Sequence, residues 1–171
     1  DLLVADARVQ GVMFTGSTEV ARLLQCTLAG RLDARGQPVA LVAETGGQNA
    51  MVVDSSALPE QVTQDVLASA FDSAGQRCSA LRVLCVQDDV ADRLLALIDG
   101  AVRELRVGDP RRLHTDVGPV IDEAAQQAIH AHIERLRALG CPVSQPALVD
   151  PDALAHGTFV TPTIIEIPDW S

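Results

Sequence analysis

At 171 residues, with 47% apolar and 21% charged side chains, the chain has the balance of a folded globular protein and not of a disordered one. Its formal net charge of −10, with no concentration of basic residues, argues against a nucleic-acid or anionic-membrane binder. No apolar run approaches the ~20 residues that span a bilayer, and the start, DLLVADARVQ, carries Asp1 and Asp6 instead of a basic signal-like head.

GVMFTG (Gly11–Gly16) is a short apolar run closed by glycine, the pattern of a buried strand. A helix follows from about Ser17, with Val20, Leu23, Leu24 and Leu28 at three- and four-residue spacing, and breaks near Gly36 and Pro38. VALVAE (Val39–Glu44) and NAMVVD (Asn49–Asp54) read as two more buried strands. The next helix has Pro59 in its first turn. Val62, Val66, Leu67, Ala70, Phe71 and Ala74 form its apolar stripe, and Gly75 closes it.

RVLCVQ (Arg82–Gln87) is a further strand, and Val90 to Leu105 a helix with Leu94, Leu97, Ile98, Ala101 and Val102 inward. VGDP opens a loop. The last helix runs from about Asp122 to Leu139, with Ala125, Ile129, Ile133 and Leu136 inward, and TFVTPTIIEI (Thr158–Ile167) is strand-like despite Pro162. Strands and helices alternate, so the expected class is α/β with a largely parallel sheet. The start without Met and the end just after a strand-like run suggest a piece of something longer.

Four cysteines, Cys26, Cys78, Cys85 and Cys141, form no C-x-x-C pair and are too sparse for a disulfide framework or zinc knuckle. Reduced thiols and a cytoplasmic location are the expectation. His130 and His132 lie two apart on a helix and point to different faces, so no metal site is expected. Solvated histidines fit better than a Cys–His hydrolase.

Three stretches carry candidate chemistry. FTGSTEV places Gly16 and Ser17 at a helix N-terminus, where unpaired N–H groups and the helix dipole attract a phosphate; plain capping is the competing reading. In AETGGQNA, Glu44 ends an apolar strand before two glycines. It reads either as a partly desolvated general base or as a carboxylate accepting turn N–H bonds. In AGQRCSA, Cys78 follows a helix end in a polar loop, with Arg77 placed to favour a thiolate, although free cysteines are usually buried. Cys26 and Cys85 fit that buried pattern, and Cys141 in GCP looks like a turn residue.

In this order and spacing, FTGSTEV, AETGGQNA and AGQRCSA resemble the aldehyde dehydrogenase superfamily, and VGDP…TDVGPVI and HGTFVTPTII continue the match. AETGGQNA and QRCSA are most similar to the L-glutamate gamma-semialdehyde (1-pyrroline-5-carboxylate) dehydrogenases, within them to the dehydrogenase module of bifunctional proline utilization A enzymes. The resemblance implies Cys78 as nucleophile, Glu44 as the base that activates water, Gly16 and Ser17 as cofactor contacts and Ser79 as a substrate-carboxylate contact. It implies NAD as cofactor, with FAD only where a proline dehydrogenase domain precedes, a small aldehyde substrate and a homo-oligomer.

It further implies that 1–38 ends a cofactor-binding domain and 39–171 is part of a catalytic domain. The family's oxyanion-donating asparagine is then expected upstream of Asp1 and its nicotinamide-ribose glutamate beyond Ser171, leaving the segment alone with little activity. A different aldehyde as substrate, or a non-catalytic structural module, are the alternatives.

Overall fold

A computed structural model describes residues 2–168. They fall into two compact units, Asp1–Gly47 and Gln48–Ser171.

In the first unit, a short helix α1 (Leu2–Ala5) precedes strand β1 (Gly11–Thr15), helix α2 (Thr18–Ala29) and strand β2 (Ala40–Glu44). β1 and β2 pair in parallel with Thr15 opposite Glu44, and α2 is the crossover that parallel pairing requires. β2 follows Pro38 in sequence but belongs to this unit because its partner is β1. The Arg31 guanidinium donates to the carbonyls of Val4, Asp6 and Val9, which fastens the chain between α1 and β1 to the end of α2.

The expected buried character of these strands is not seen. Val12, Phe14 and Leu41 are half-buried, whereas Met13 is 86% exposed and Val42 50% exposed. Met13 and Val42 are partners in the pairing and share its exposed face; α2 is the one long helix beside this pair, and parallel sheets need cover on both faces. The apolar stripe of α2 is also displaced from the expected one. Ala21 and Leu28 are buried, while Val20 and Leu23 face solvent.

The second unit begins with strand β3 (Asn49–Val53), helix α3 (Pro59–Phe71) and strand β4 (Leu81–Val86), again a parallel pair with a helical crossover. Helix α4 (Asp88–Glu104) follows and packs on α3. Its buried Leu94, Ile98 and Val102 match the expected period. Strand β5 (Arg106–Val107) pairs in parallel with β7 (Leu148–Val149). After helix α5 (Glu123–Ala138), strand β6 (Val143–Ser144) pairs antiparallel with β8 (Ile164–Ile165). Helix α6 (Pro151–His156) lies between β7 and β8.

The core of this unit joins Val53, Val62, Val66, Leu81, Leu94, Ile98, Val102, Val107, Val117 and Phe159. Among the described residues, three strand pairs are parallel and one is antiparallel, so the fold is α/β and largely parallel.

Three expectations are corrected. α3 ends at Phe71 and not at Ala74, because Ser73 (φ 56°) and Ala74 (φ 53°) turn left-handed inside a single tight turn, Asp72–Gly75. The Thr158–Ile167 run is strand only at Ile164–Ile165. Its Thr158 is spent on Val120, donating its hydroxyl at 2.6 Å and accepting the Val120 N–H at 2.9 Å. On α5, Ile133 is buried but Ile129 is exposed. Among the described residues, no helix is long and apolar enough to cross a membrane.

Candidate active site

The sequence-predicted residues fall into two groups, one in each unit. In the first unit, Gly16, Ser17 and Glu44 meet where β1 and β2 both end. The Gly16 N–H donates to the Glu44 backbone carbonyl at 3.1 Å, extending the parallel pairing by one bond. Ser17 is the N-cap of α2, its side-chain oxygen accepting the Val20 N–H at 3.2 Å. The Glu19 carboxyl sits below its ordinary value, held first by its own backbone N–H and then by the Ser17 hydroxyl. The helix terminus therefore already carries one anion, and Ser17 serves as a cap.

With the Ser17 hydroxyl engaged by Val20 and Glu19, what this terminus would offer a phosphate is the positive end of a 12-residue helix, shared with the Glu19 carboxylate. A Cβ at Gly16 would stand 2.5 Å from Cζ of the Phe14 ring, so a side chain there would require the ring to move.

Glu44 is exposed, which differs from the desolvated carboxylate that its apolar flanks suggest. It is the last residue of β2, where the strand leaves the half-covered sheet.

In the second unit, Cys78 and Ser79 are the two central residues of a turn from Arg77 to Ala80, closed by the Ala80 N–H donating to the Arg77 carbonyl at 3.1 Å. Both are exposed, while Gly75 and Ala80 on either side are buried. The loop is thus a solvent-facing tip on two anchored stems. Cys26 is exposed as well, contrary to expectation, because it lies off the Ala21–Leu28 stripe. Cys85 and Cys141 are half-buried.

Polar side chains from distant positions hold the loop. Asn49 Nδ2 donates to the Cys78 carbonyl at 2.8 Å and to the Ala80 carbonyl at 3.0 Å. Arg82 Nη2 donates to the Gly75 carbonyl at 2.5 Å. Gln76 Nε2 donates to the Ser73 carbonyl at 3.1 Å and the Pro119 carbonyl at 3.3 Å, and Gln76 Oε1 accepts the Ile121 N–H at 2.7 Å. The Arg77 guanidinium donates to the Ala68 carbonyl at 2.8 Å and lies 3.6 Å from Asp72, so its charge is committed to the end of α3.

Through Gln76, TDVGPVI docks on the cysteine loop, and through Thr158 the HGTFVTPTII segment docks on TDVGPVI. Ser79 and Arg77 line an open basin of about 400 Å³ with Met51, Asp65, Ala68, Ser69 and Asp72. Sequence reasoning singled out neither Asn49 nor Gln76. The one local signal for Asn49 is a poor strand former opening an otherwise apolar strand. His130 and His132 are exposed on α5. Among the described residues, no three His, Cys, Asp or Glu side chains are grouped to hold a metal ion.

Comparison with known proteins gives one consistent result. The chain is 62% identical over 172 aligned residues to the bifunctional protein PutA of Salmonella typhimurium, covering 99% of this chain and 13% of that protein. A crystal structure of a mutant proline utilization A from Bradyrhizobium japonicum matches with a TM-score of 0.85 and 49% identity, over 98% of this chain and 16% of that one. A 1-pyrroline-5-carboxylate dehydrogenase from Thermus, solved with bound NAD, matches with a TM-score of 0.78 and 26% identity, over 96% of this chain and 31% of that one. This chain therefore spans a small part of each relative's length. Since the model of the aldehyde dehydrogenase family matches residues 1–169, the chain belongs to that family.

Proposed function

We propose that this chain is part of an NAD-dependent dehydrogenase that oxidises L-glutamate gamma-semialdehyde to L-glutamate, in proline breakdown. Residues 1–38, together with the strand β2 that pairs with β1, end its cofactor-binding domain, and the remainder contributes to its catalytic domain. One observation carries the reading: in a chain 62% identical to bifunctional PutA, Cys78 stands at the exposed tip of a loop whose stems are buried and hydrogen-bonded.

Cys78 Sγ, as thiolate, attacks the aldehyde carbon, forming a C–S bond while the carbonyl π electrons move to oxygen. Loss of hydride from that carbon leaves a thioester on Cys78. NAD, when bound, would supply the hydride acceptor, and Gly16 and Ser17 at the start of α2 are the residues of this chain that would contact one of its phosphates. Glu44 takes a proton from the water that attacks the thioester, and breaking the C–S bond returns the thiolate and releases the acid. Ser79, which lines the open basin and follows Cys78 in the chain, is the candidate contact for the substrate carboxylate.

Competitive thiol alkylation tests the assignment. Cys78 is expected to react faster than Cys26, which is also exposed and so controls for access. Equal rates at the two would favour a structural module. The 171 residues alone are expected to turn over little. Removing one oxyanion donor typically costs about 100- to 1,000-fold, and robust turnover by this segment would contradict that expectation.

A further inference from the structure

We propose that Asn49 is a positioning residue for Cys78, an inference that rests on the nucleophile role proposed above. Asn49 has two amide hydrogens, and both are spent on the cysteine turn, one on the carbonyl of Cys78 and one on that of Ala80. The peptide between Cys78 and Ser79 is planar, so pinning the Cys78 carbonyl fixes that plane and with it the backbone direction from which the side chain departs. The turn's own hydrogen bond, Ala80 N–H to Arg77 carbonyl, holds the other side. Sγ is then left chiefly with rotation about its own Cα–Cβ bond.

The backbone at Asn49 is shaped for this task. In the parallel pairing of β3 with β4, Asn49 stands opposite Leu81, but the next residue, Ala50, stands opposite Val83. The pairing skips Arg82 at a bulge immediately after Asn49. Bulges re-aim side chains, and here the adjoining side chain reaches the turn that precedes β4. A β-branched residue would suit the strand better, but it would leave both carbonyls without this donor.

Asn49 and the other loop ligands divide the work. Arg82 and Gln76 hold the incoming stem, at Gly75 and Ser73, whereas Asn49 holds the tip at Cys78 and the outgoing stem at Ala80. Losing Asn49 therefore frees the segment that carries the nucleophile while the incoming stem stays held.

The test uses the complete enzyme that carries this segment. Stoichiometric alkylation of Cys78 comes first, and survival of turnover after it would overturn the nucleophile reading and the inference with it. If alkylation abolishes turnover, Asn49→Ala is expected to lower kcat by about 10- to 100-fold, with the aldehyde KM changed by less than about threefold. Asn49→Asp keeps the shape and reads the same bonds through pH. As the acid it donates to one carbonyl, and as the carboxylate it repels both, so kcat should fall as pH rises through its ionisation, a limb absent from the unsubstituted enzyme. A kcat for Asn49→Ala within about twofold of the unsubstituted enzyme overturns the positioning role alone. Should that variant not fold, an Asn49→Asp profile matching the unsubstituted enzyme overturns it.

Discussion

Gln76 and Ile121 are joined across 45 residues by one hydrogen bond, the Ile121 N–H donating to the Gln76 amide oxygen at 2.7 Å. The same side chain reaches Pro119 and Ser73, so one amide ties the cysteine loop to the segment before α5. A solvent-accessible hydrogen bond of this kind contributes on the order of 1 kcal/mol. Gln76→Ala should lower stability by about that amount in denaturant unfolding, and should speed amide exchange at Ile121 more than at residues of α4. Unchanged exchange at Ile121 would show that the bond does not hold the two segments together.

The left-handed run before the cysteine makes opposite predictions at neighbouring positions. Ser73 is exposed with φ 56°, a conformation that costs an L-residue about 1–2 kcal/mol, so Ser73→Gly should stabilise by roughly 0.5–1 kcal/mol after chain entropy. Gly75, at φ +66°, has no such room. A Cβ would lie 2.7 Å from the Ala70 carbonyl oxygen and 3.0 Å from Arg82 Nη1. Gly75→Ala is expected to destabilise by about 2 kcal/mol or more, displacing the guanidinium that holds the loop stem. Thermal melts of the two variants, moving in opposite directions, are the readout.

Glu44→Gln should separate the two halves of the proposed reaction. Attack by Cys78 and loss of hydride do not need the carboxylate, whereas hydrolysis of the thioester does. Rapid mixing of the complete enzyme is expected to show a stoichiometric burst of reduced cofactor followed by steady turnover slowed about 10²- to 10⁴-fold. Loss of the burst together with the steady rate would assign Glu44 an earlier step.

The loop after β5 carries a pH signature. The Arg111 side chain, and then its backbone N–H, hydrogen-bond to Asp109 and bring its carboxyl from an ordinary 3.8 down to about 2. A folded-state value below the unfolded one means the contribution is present above pH ~4 and lost as pH falls from there towards 2. Arg111→Ala should return the Asp109 titration, followed by NMR, towards 3.8. An unshifted titration in the unsubstituted chain would remove Arg111 as a partner. Because the pair is exposed, salt should weaken the effect.

The residue order alone determined the α/β class, the parallel character and the helices whose packing is local in origin. On α4, Leu94, Ile98 and Val102 recur at four-residue spacing, and burial follows that stripe. Ser17 was legible as a helix start, since a cap bond spans only three residues. Cys78 stood out because only polar and small residues surround it.

What needed the tertiary structure are the features set by partners far away in sequence. The α2 stripe runs through Ala21 and Leu28 instead of Val20 and Leu23, because the elements packed on that helix, α1 and β2 among them, decide which face is shielded. Thr158 reads as strand by its β-branch, but its hydroxyl and carbonyl go to Val120, 38 residues earlier. Asn49 is the clearest case. An asparagine amide offers two donors to any carbonyl in reach, and nothing in NAMVVD names the carbonyls of Cys78 and Ala80, 29 and 31 residues on. Periodicity reports which face a side chain takes, whereas the destination of a polar group is decided only when the chain has folded back on it.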